Sequence, residues 1–126
     1  MIYGIGTDII KIERIKDMYE KYADKFYRKI LSSEEAEIFE AFSVDSRKIS
    51  YLAKRFAAKE AFVKALGTGF RDDITFTAIS VYNNRLGRPH LKISQAIRDR
   101  LPDHAKLHVS LSDEVDNVMA FVIIEV

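Results

Sequence analysis

One acidic side chain lies on the apolar face of a helix, and its type and position make it the first candidate for chemistry. Residues 46–66 have helical spacing, and at about 100° per residue they form an apolar stripe. Glu60 falls in the middle of this stripe, and Lys64, one turn later, lies at its margin. A carboxylate on a buried stripe is costly unless it is paired or binds a cation. The apolar residues of the stripe are Ile49, Leu52, Ala53, Phe56 and Val63.

Glu60 has two interpretations at this point. An ion pair between Glu60 and Lys64 at i, i+4 would satisfy the carboxylate as part of the fold. Alternatively, Glu60 binds a metal ion and Lys64 faces the same pocket. The cations Arg55, Lys59 and Lys64 surround Glu60 in the sequence and would neutralise phosphate oxygens. Helical spacing alone leaves both interpretations open.

Asp8 is the second candidate. Residues 2–10 are predicted to form a buried strand, with glycines at positions 4 and 6 where another backbone approaches closely. Asp8 lies toward the end of this strand, where carboxylates commonly point into sites, although a turn or cap is the plainer explanation. The chain has no Cys and no His near either carboxylate, so Asp8 and Glu60 suit a hard cation such as Mg²⁺, which also binds phosphates. The residues therefore indicate Mg²⁺-dependent chemistry on a phosphate ester.

The elements that position these residues follow from the pattern of the chain. A helix of about three turns follows the first strand. Ser32 and Glu35 form a capping box for a helix ending near Phe42, and Gly67 ends the long helix. The interspersed strands and helices predict an α+β fold, with an antiparallel-rich sheet packed on a long central helix, in one domain, 1–126. The remaining predicted elements are a strand at 74–82, a turn at 83–89, a return strand at 90–93, a short helix capped by Ser94 and ending before Pro102, and a hairpin of strands 107–111 and 118–124.

Composition narrows the class of protein. The 126 residues fit one compact domain, and 20 Lys+Arg against 19 Asp+Glu give a formal net charge of +1. This balance argues against a protein that binds polyanions over its whole surface. The absence of Cys excludes disulfide scaffolds, thiolate zinc sites and Cys nucleophiles. With neither a leader-like segment nor a membrane-length apolar run, a cytoplasmic location is expected.

The charge is nevertheless uneven along the chain. Residues 11–29 sum to +3, residues 31–45 to −5, and residues 46–71 to +6 with Glu60 as their single acid. The first basic stretch would present one helical face if its helix persists, and such a face would steer an acidic protein. A solvated face or an RNA-binding face is the competing explanation. The residues of this face are Arg14, Lys21, Lys25 and Arg28.

Several motifs identify a family. Residues 1–10 (MIYGIGTDII), followed by IERI at 12–15, resemble the amino-terminal signature of holo-[acyl-carrier-protein] synthases, which are 4′-phosphopantetheinyl transferases. Residues 55–69 (RFAAKEAFVKALGTG) are similar to the central signature of that family almost residue for residue. Leu31-Ser32 with Glu35, the GRP turn at 87–89 and HVSLS at 108–112 follow in the same order.

The resemblance implies a function. Members of the family use Mg²⁺ and coenzyme A to transfer phosphopantetheine to a serine of apo-acyl carrier protein, which supports fatty acid biosynthesis and releases adenosine 3′,5′-bisphosphate. They are small α+β proteins that form trimers with active sites at subunit interfaces. By the same resemblance Asp8 and Glu60 hold the metal, Glu60 and Lys64 are catalytic, and the coenzyme A-binding residues are Arg55, Lys64, Gly67 and Pro89. The carrier protein is expected on the basic face of Arg14, Lys21, Lys25 and Arg28.

One departure and one rival interpretation accompany this assignment. The family motif after the HVS strand usually reads Ser-His-Glu, whereas here it reads Ser112-Asp113-Glu114. An aspartate near a phosphate is expected to repel it, so Asp113 puts an imidazole contact to coenzyme A in doubt. The rival is a non-catalytic α+β module that binds nucleotides or RNA, in which Glu60 and Lys64 form a structural pair.

Overall fold

A long helix packed on a three-stranded antiparallel sheet forms the frame of the molecule. The computed structural model describes all residues, Met1–Val126. The sheet has the order β1-β5-β4, and β2 and β3 form a separate hairpin. This architecture confirms the predicted α+β fold. The elements are β1 (Ile2–Lys11), α1 (Ile12–Tyr22), α2 (Asp24–Ile30), α3 (Ser33–Ala41), α4 (Asp45–Leu66), β2 (Ile79–Asn83), β3 (Pro89–Ile93), α5 (Gln95–Arg98), β4 (Lys106–Asp113) and β5 (Asn117–Glu125), with a 3₁₀ turn at Phe76–Ala78.

The two faces of the sheet differ sharply. On the central strand β5, every second side chain points to the inner face and is fully buried against α4: Val118, Ala120, Val122 and Ile124. On the outer face, Ile5 is 59% exposed and Ile9 is 68% exposed. The prediction of a buried first strand is therefore wrong for this face, because the outward side chains of β1 are not covered by another element. On β5, Met119 lies opposite Ile9 and Phe121 lies opposite Thr7, and both extend the same apolar surface.

Two glycines allow β1 to lie directly on α4. A Cβ atom at Gly4 would collide with the carbonyl oxygen of Ala65, and one at Gly6 with the carbonyl oxygen of Ala61. Both obstacles are helix backbone, so a side chain at either position would force the strand away from the helix. The predicted close approach of backbones is thus confirmed, and it brings the next inward residue, Asp8, against α4.

The boundaries of two helices agree with their sequence signals. The backbone amide of Ser32 donates to Glu35 Oε1 at 2.9 Å, and the amide of Glu35 donates to Ser32 Oγ at 3.4 Å, completing the capping box of α3. Gly67 ends α4 with φ of 87°, and its amide donates to the carbonyls of Val63 and Lys64. A left-handed residue at this position is most easily supplied by glycine.

The helical segment after β1 is broken in two. Ala23, with φ of 47°, separates α1 from α2, although no glycine or proline marks the break. The predicted helix of about three turns is confirmed as α1, but the condition for a single basic helical face, that this helix persists, is not met. All four basic residues predicted to form that face are exposed, but they lie on two helices: Arg14 and Lys21 on α1, Lys25 and Arg28 on α2.

The hairpin strand is shorter than predicted. Residues 74–82 were expected to be extended, but residues 76–78 form the 3₁₀ turn and β2 begins at Ile79, its first partner on β3 being Ile93. Phe76 stacks on Phe56 of α4 with ring centroids 5.3 Å apart, so packing of the aromatic ring takes precedence over strand pairing. The predicted turn, return strand, Ser94 cap and terminal hairpin are confirmed. No helix is both long and apolar enough to span a membrane.

Candidate active site

Asp8 and Glu60 lie close together where β1 crosses α4. Burial raises the pKa of the Glu60 carboxyl, and the nearby negative charge of Asp8 raises it further. The Nζ atom of Lys64 donates to the carbonyl oxygen of Thr7 at 3.0 Å and to Asp8 Oδ1 at 3.3 Å. The structure therefore brings together the three residues that the sequence singled out for metal binding and catalysis.

The electrostatics of this site favour an additional cation. Burial is the main cause that raises the pKa of Asp8, and it is opposed by the hydrogen bond and charge of Lys64 and by the charge of Arg14. Burial also raises the pKa of Glu60, with the neighbouring Asp8 adding to the effect and Lys64 opposing it. Burial therefore outweighs the nearby positive charges at both carboxylates, and a bound cation would lower both pKa values.

The structural interpretation of Glu60 is wrong. Lys64 turns to Asp8 and the Thr7 carbonyl, and no ion pair or hydrogen bond joins it to Glu60. Glu60 accepts no hydrogen bond from any protein group. A partly buried carboxylate without a partner is a candidate for binding a ligand rather than for holding the fold.

The donor set fits Mg²⁺. No group of three or more His, Cys, Asp or Glu side chains is placed to hold a metal ion, so the site offers two carboxylates and not a closed protein cage. Mg²⁺ is usually bound in proteins by one or two carboxylates, while water and substrate phosphates complete its octahedral shell. Oxygen ligands without sulfur or imidazole also suit a hard cation better than zinc.

Lys59 does not belong to the site, although the sequence analysis placed it among the phosphate-neutralising cations. Its side chain is fully buried, and Nζ donates to the carbonyl oxygen of Ile30 at 2.6 Å and to Glu35 Oε1 at 2.5 Å. Glu35 Oε2 accepts a further bond from the amide of Val81 at 2.7 Å. This pair joins α4 to the end of α2, the start of α3 and β2. Lys59 is therefore a structural cation.

Arg55 lies away from Glu60, beside a cavity of about 510 Å³ between α3, α4 and β2. It is 5% exposed, and its guanidinium carbon lies 4.0 Å from the centre of the Tyr51 ring. Its Nε atom has no hydrogen-bond partner, and no carboxylate forms an ion pair with it. A buried cation without a counter-ion is a candidate for binding an anion. Arg47 and Lys54 also line this cavity.

A smaller cavity of about 170 Å³ adjoins the first and brings Arg55 together with Pro89 and Gly87 of the β2–β3 turn. Lys54, Arg55 and Asn83 line both cavities, which together are called the Arg55 cleft below. The predicted coenzyme A residues thus fall into two groups. Arg55 and Pro89 line the cleft, whereas Lys64 and Gly67 lie at the end of α4 and line neither of its cavities.

Sequence reasoning missed two features of the cleft. Arg47 and Arg55 are eight residues apart and Tyr51 lies midway, so helical spacing places all three on one face of α4. That spacing was the available signal. Asp113, expected to repel phosphate, instead forms an ion pair with Lys54, with Nζ 3.6 Å from Oδ2. No sequence signal joins these two residues, since 58 residues separate them in the chain.

The basic residues of α1 and α2 are placed unequally. The charge of Arg14 reaches Asp8, so Arg14 lies beside the carboxylate site. Lys25 is exposed and forms no ion pair, and Lys21 lies over the ring of Tyr22. Arg28 is engaged with Glu40 at 3.4 Å. This surface is basic and accessible, with Arg14 at the end nearest the two carboxylates.

Comparison with known proteins gives consistent results along the whole chain. The family model described as the 4′-phosphopantetheinyl transferase superfamily matches residues 4–122. A holo-[acyl-carrier-protein] synthase of Wolbachia pipientis is 48% identical over 124 residues, covering 98% of each chain.

Two crystal structures are similar. That of the Neisseria meningitidis holo-[acyl-carrier-protein] synthase covers 100% of both chains, with a TM-score of 0.91 and 41% identity. That of the Bacillus anthracis synthase, in complex with coenzyme A (3′,5′-ADP), has a TM-score of 0.83 and 35% identity, covering 99% of this chain and 97% of that one.

Proposed function

Because this chain belongs to the 4′-phosphopantetheinyl transferase superfamily, we propose that it acts as a holo-[acyl-carrier-protein] synthase. It transfers the 4′-phosphopantetheine group of coenzyme A to a serine of apo-acyl carrier protein. The products are holo-acyl carrier protein, which supports fatty acid biosynthesis, and adenosine 3′,5′-bisphosphate. The reaction takes place in the cytoplasm.

The observation that carries this proposal is the unpartnered Glu60 beside Asp8. Both carboxylates are desolvated, and both occupy positions of the family signatures. Transfer of a phosphoryl group requires positive charge near the phosphate and a base near the attacking hydroxyl. Two carboxylates short of positive charge provide a metal site, and a carboxylate of raised pKa provides a base.

Asp8 and Glu60 are the residues that would hold Mg²⁺. A bound Mg²⁺ supplies positive charge that offsets the negative charge developing on the phosphate oxygens. The chain's own residues perform the remaining steps. Glu60 accepts the proton of the acceptor serine, directly or through a water molecule.

Lys64 stabilises the leaving group. Its side chain is 54% exposed, and its bonds to the Thr7 carbonyl and Asp8 hold the ammonium at the edge of the carboxylate site. As the serine oxygen attacks the β-phosphate of coenzyme A, a bond forms between this oxygen and phosphorus, and the bond between phosphorus and the bisphosphate oxygen breaks. Negative charge accumulates on the bisphosphate oxygen. The ammonium of Lys64 compensates this charge, so most of the catalysis is positioning and electrostatics.

The Arg55 cleft binds the nucleotide part of coenzyme A. The buried, unpaired guanidinium of Arg55 fits a phosphate, and Pro89 and Tyr82 offer apolar surface to a base. Gly67 closes the last turn of α4 next to Lys64 and leaves room for the ligand. Since Lys64 and Arg55 belong to different surfaces of one chain, the complete site combines the carboxylates of one subunit with the cleft of another.

The protein is a homotrimer in this proposal, with the outer face of the sheet as its interface. Ile5, Ile9, Met119 and Phe121 expose 36–68% of their surfaces on this face. An apolar face of this kind is typical of a protein–protein contact. Light scattering after gel filtration is expected to give three times the chain mass of 14.5 kDa. Ile9→Glu is expected to give the monomer mass.

The acidic carrier protein docks on the exposed residues Arg14, Lys21, Lys25 and Arg28. Electrostatic complementarity of this kind mainly raises the association rate and falls with salt. Lys25→Glu is the cleanest test, because Lys25 forms no ion pair within the protein. It is expected to raise KM for carrier protein by about tenfold, with no change in binding of coenzyme A.

The transfer itself is tested by incubating the protein with apo-acyl carrier protein, coenzyme A and Mg²⁺ and measuring the intact mass of the carrier protein. A phosphopantetheine adduct is expected on the wild-type carrier, and none on a carrier whose acceptor serine is Ala. A metal chelator is expected to stop the reaction. If no adduct forms on the wild-type carrier, the proposed function is wrong. The rival nucleotide- or RNA-binding module is not favoured, because its structural Glu60–Lys64 pair is not formed.

A further inference from the structure

The Arg55 cleft contains one acidic side chain among its cations. Arg47, Lys54 and Arg55 contribute positive charge to its two cavities, and Asp113 is the only carboxylate that lines either of them. Asp113 is the last residue of β4 and faces Lys54 of α4 across the smaller cavity. The single acidic residue of the cleft therefore forms its ion pair with Lys54, and Arg55 has no counter-ion.

The Lys54–Asp113 ion pair is weak and exposed to water. Its atoms are 3.6 Å apart, and the side chains are 31% and 42% exposed. A pair with this exposure contributes little net stability, because water solvates both charges when they part. The Lys59–Glu35 pair differs, because it is buried and its charged atoms are 2.5 Å apart. Glu35 also accepts hydrogen bonds from the amides of Ser32 and Val81, and Lys59 donates one to the carbonyl oxygen of Ile30. Lys54 can change its partner, whereas Lys59 cannot.

The position of Lys54 gives it a second partner to reach. It lines both cavities next to Arg55, whereas Asp113 lines only the smaller one. A lysine side chain carries its charge on a flexible four-carbon stem, so the ammonium can turn from Asp113 to an anion beside Arg55. Such an anion would be contacted by two cations, one buried and fixed, the other mobile.

We propose that Lys54 is a phosphate-binding residue of the Arg55 cleft, and that Asp113 is its resident counter-ion until the nucleotide binds. The inference rests on the proposed function for the identity of the ligand. When coenzyme A enters, Lys54 leaves Asp113 and contacts a phosphate beside Arg55. When the bisphosphate product leaves, Asp113 takes Lys54 back. Asp113 thus competes with the phosphate, lowers the affinity for product and favours its release.

The test is the dissociation constant of adenosine 3′,5′-bisphosphate, measured by calorimetry on the full chain. Lys54→Met keeps the stem but removes the charge and leaves Asp113 facing the phosphate, so binding is expected to weaken about tenfold. Asp113→Asn removes the competitor, so binding is expected to tighten about threefold. The double variant is expected to bind more tightly than Lys54→Met alone. Lys92→Met, which breaks an exposed pair with Glu34 elsewhere, is the matched control and is expected to bind as the wild type does.

Two results would overturn the inference. If Asp113→Asn weakens binding as much as Lys54→Met, the pair only braces the cleft. If Lys54→Met binds as the wild type does, Lys54 does not contact the ligand. Comparing coenzyme A with dephospho-coenzyme A identifies the phosphate, because an effect of Lys54→Met that is confined to coenzyme A assigns the contact to the 3′-phosphate, and an equal effect on both assigns it to the pyrophosphate.

The inference and the proposed function fail separately. Normal phosphopantetheine transfer by the wild type, with unchanged bisphosphate binding by Lys54→Met, overturns the role of Lys54 alone. Absence of transfer by the wild type, with bisphosphate binding that depends on Lys54 and Asp113 as expected, overturns the transferase and retains the phosphate site.

Discussion

Lys59 and Glu60 are neighbours on α4, but their charges have opposite environments. Lys59 is fully buried and bonded to Glu35 and to the carbonyl of Ile30. Glu60 has no hydrogen-bond partner, and burial raises the pKa of its carboxyl, with the like charge of Asp8 adding to the effect. A charge that is fully satisfied within the protein holds the fold together. A charge left unsatisfied beside another of the same sign is retained for a ligand.

Ionisation of the two site carboxylates acts against folding. Because the pKa values of Asp8 and Glu60 are raised on folding, their protonated forms favour the folded state. The associated stability is present at low pH and is lost as pH rises through the raised pKa values. At neutral pH the ionised carboxylates therefore destabilise the protein. Burial also lowers the pKa of Lys59, but the charge and hydrogen bond of Glu35 oppose this shift, so Lys59 has a partner within the fold.

The largest effect is expected from Lys59→Met. Removing one partner of a buried ion pair leaves the carboxylate of Glu35 uncompensated, which costs about 3–5 kcal/mol of the free energy of unfolding. Urea denaturation measures this loss. The double variant Lys59→Met, Glu35→Gln removes both charges and is expected to recover part of it. A loss below about 1 kcal/mol in the single variant would contradict a structural role for the pair.

Gly6→Ala is expected to be the next most damaging change, because it affects both fold and site. The new Cβ meets the carbonyl of Ala61, which forces β1 away from α4 and costs about 1–3 kcal/mol. The displacement also separates Asp8 from Glu60, so transfer should fall as well. His104→Ala, an exposed change in the turn before β4, is the control and should change stability by less than about 0.5 kcal/mol. Equal stabilities for the two variants would show that the strand and helix are not in close contact.

Acid should weaken transfer before it weakens the fold. Glu60 must be ionised to bind a cation or to accept a proton, so the rate should fall as pH falls through the pKa of its carboxyl, which burial raises in the cation-free protein. Removal of charge from Asp8 and Glu60 does not destabilise the folded state, so unfolding by acid should begin at lower pH. Initial rates and circular dichroism over the same pH series measure the two transitions. Coincident transitions would show that the carboxylates act through stability alone.

The smallest effect is expected from the exposed pair Lys92–Glu34. The charged atoms are 3.2 Å apart and the side chains are 64% and 67% exposed. Lys92→Ala should therefore lower the free energy of unfolding by about 0–1 kcal/mol. Urea denaturation of this variant beside Lys59→Met separates the effect of burial from that of pairing. A loss as large as that of Lys59→Met would contradict the view that burial decides which charges hold the fold.

Local signals predicted most of the frame. The capping box of Ser32 and Glu35, the αL glycine Gly67 and the glycines of β1 each depend on neighbouring residues or on one short contact, and each was recognisable. The position of Glu60 on an apolar stripe predicted its importance for the same reason. The break at Ala23 carries no glycine or proline, so the division of α1 from α2 was not recognisable.

The roles of individual charges depended on tertiary contacts. Lys59 and Lys64 are the same residue type on the same helix, yet one is buried by α2, α3 and β2 while the other lies at the edge of β1. Lys64 pairs with Asp8 and not with Glu60, because β1 places both the Asp8 carboxylate and the Thr7 carbonyl within reach of its ammonium. The packing of β4 beside α4 brings Asp113 to Lys54, so this ion pair could not be predicted from the sequence motif around Asp113.

We propose that Glu60 serves the reaction and not the fold. The transfer rate of Glu60→Gln, relative to that of the wild type under identical Mg²⁺ and coenzyme A, tests this most directly. The side chain keeps its size and loses its charge, so the rate is expected to fall by about 10²- to 10⁴-fold in a protein at least as stable as the wild type. A variant that transfers phosphopantetheine at the wild-type rate would contradict the claim.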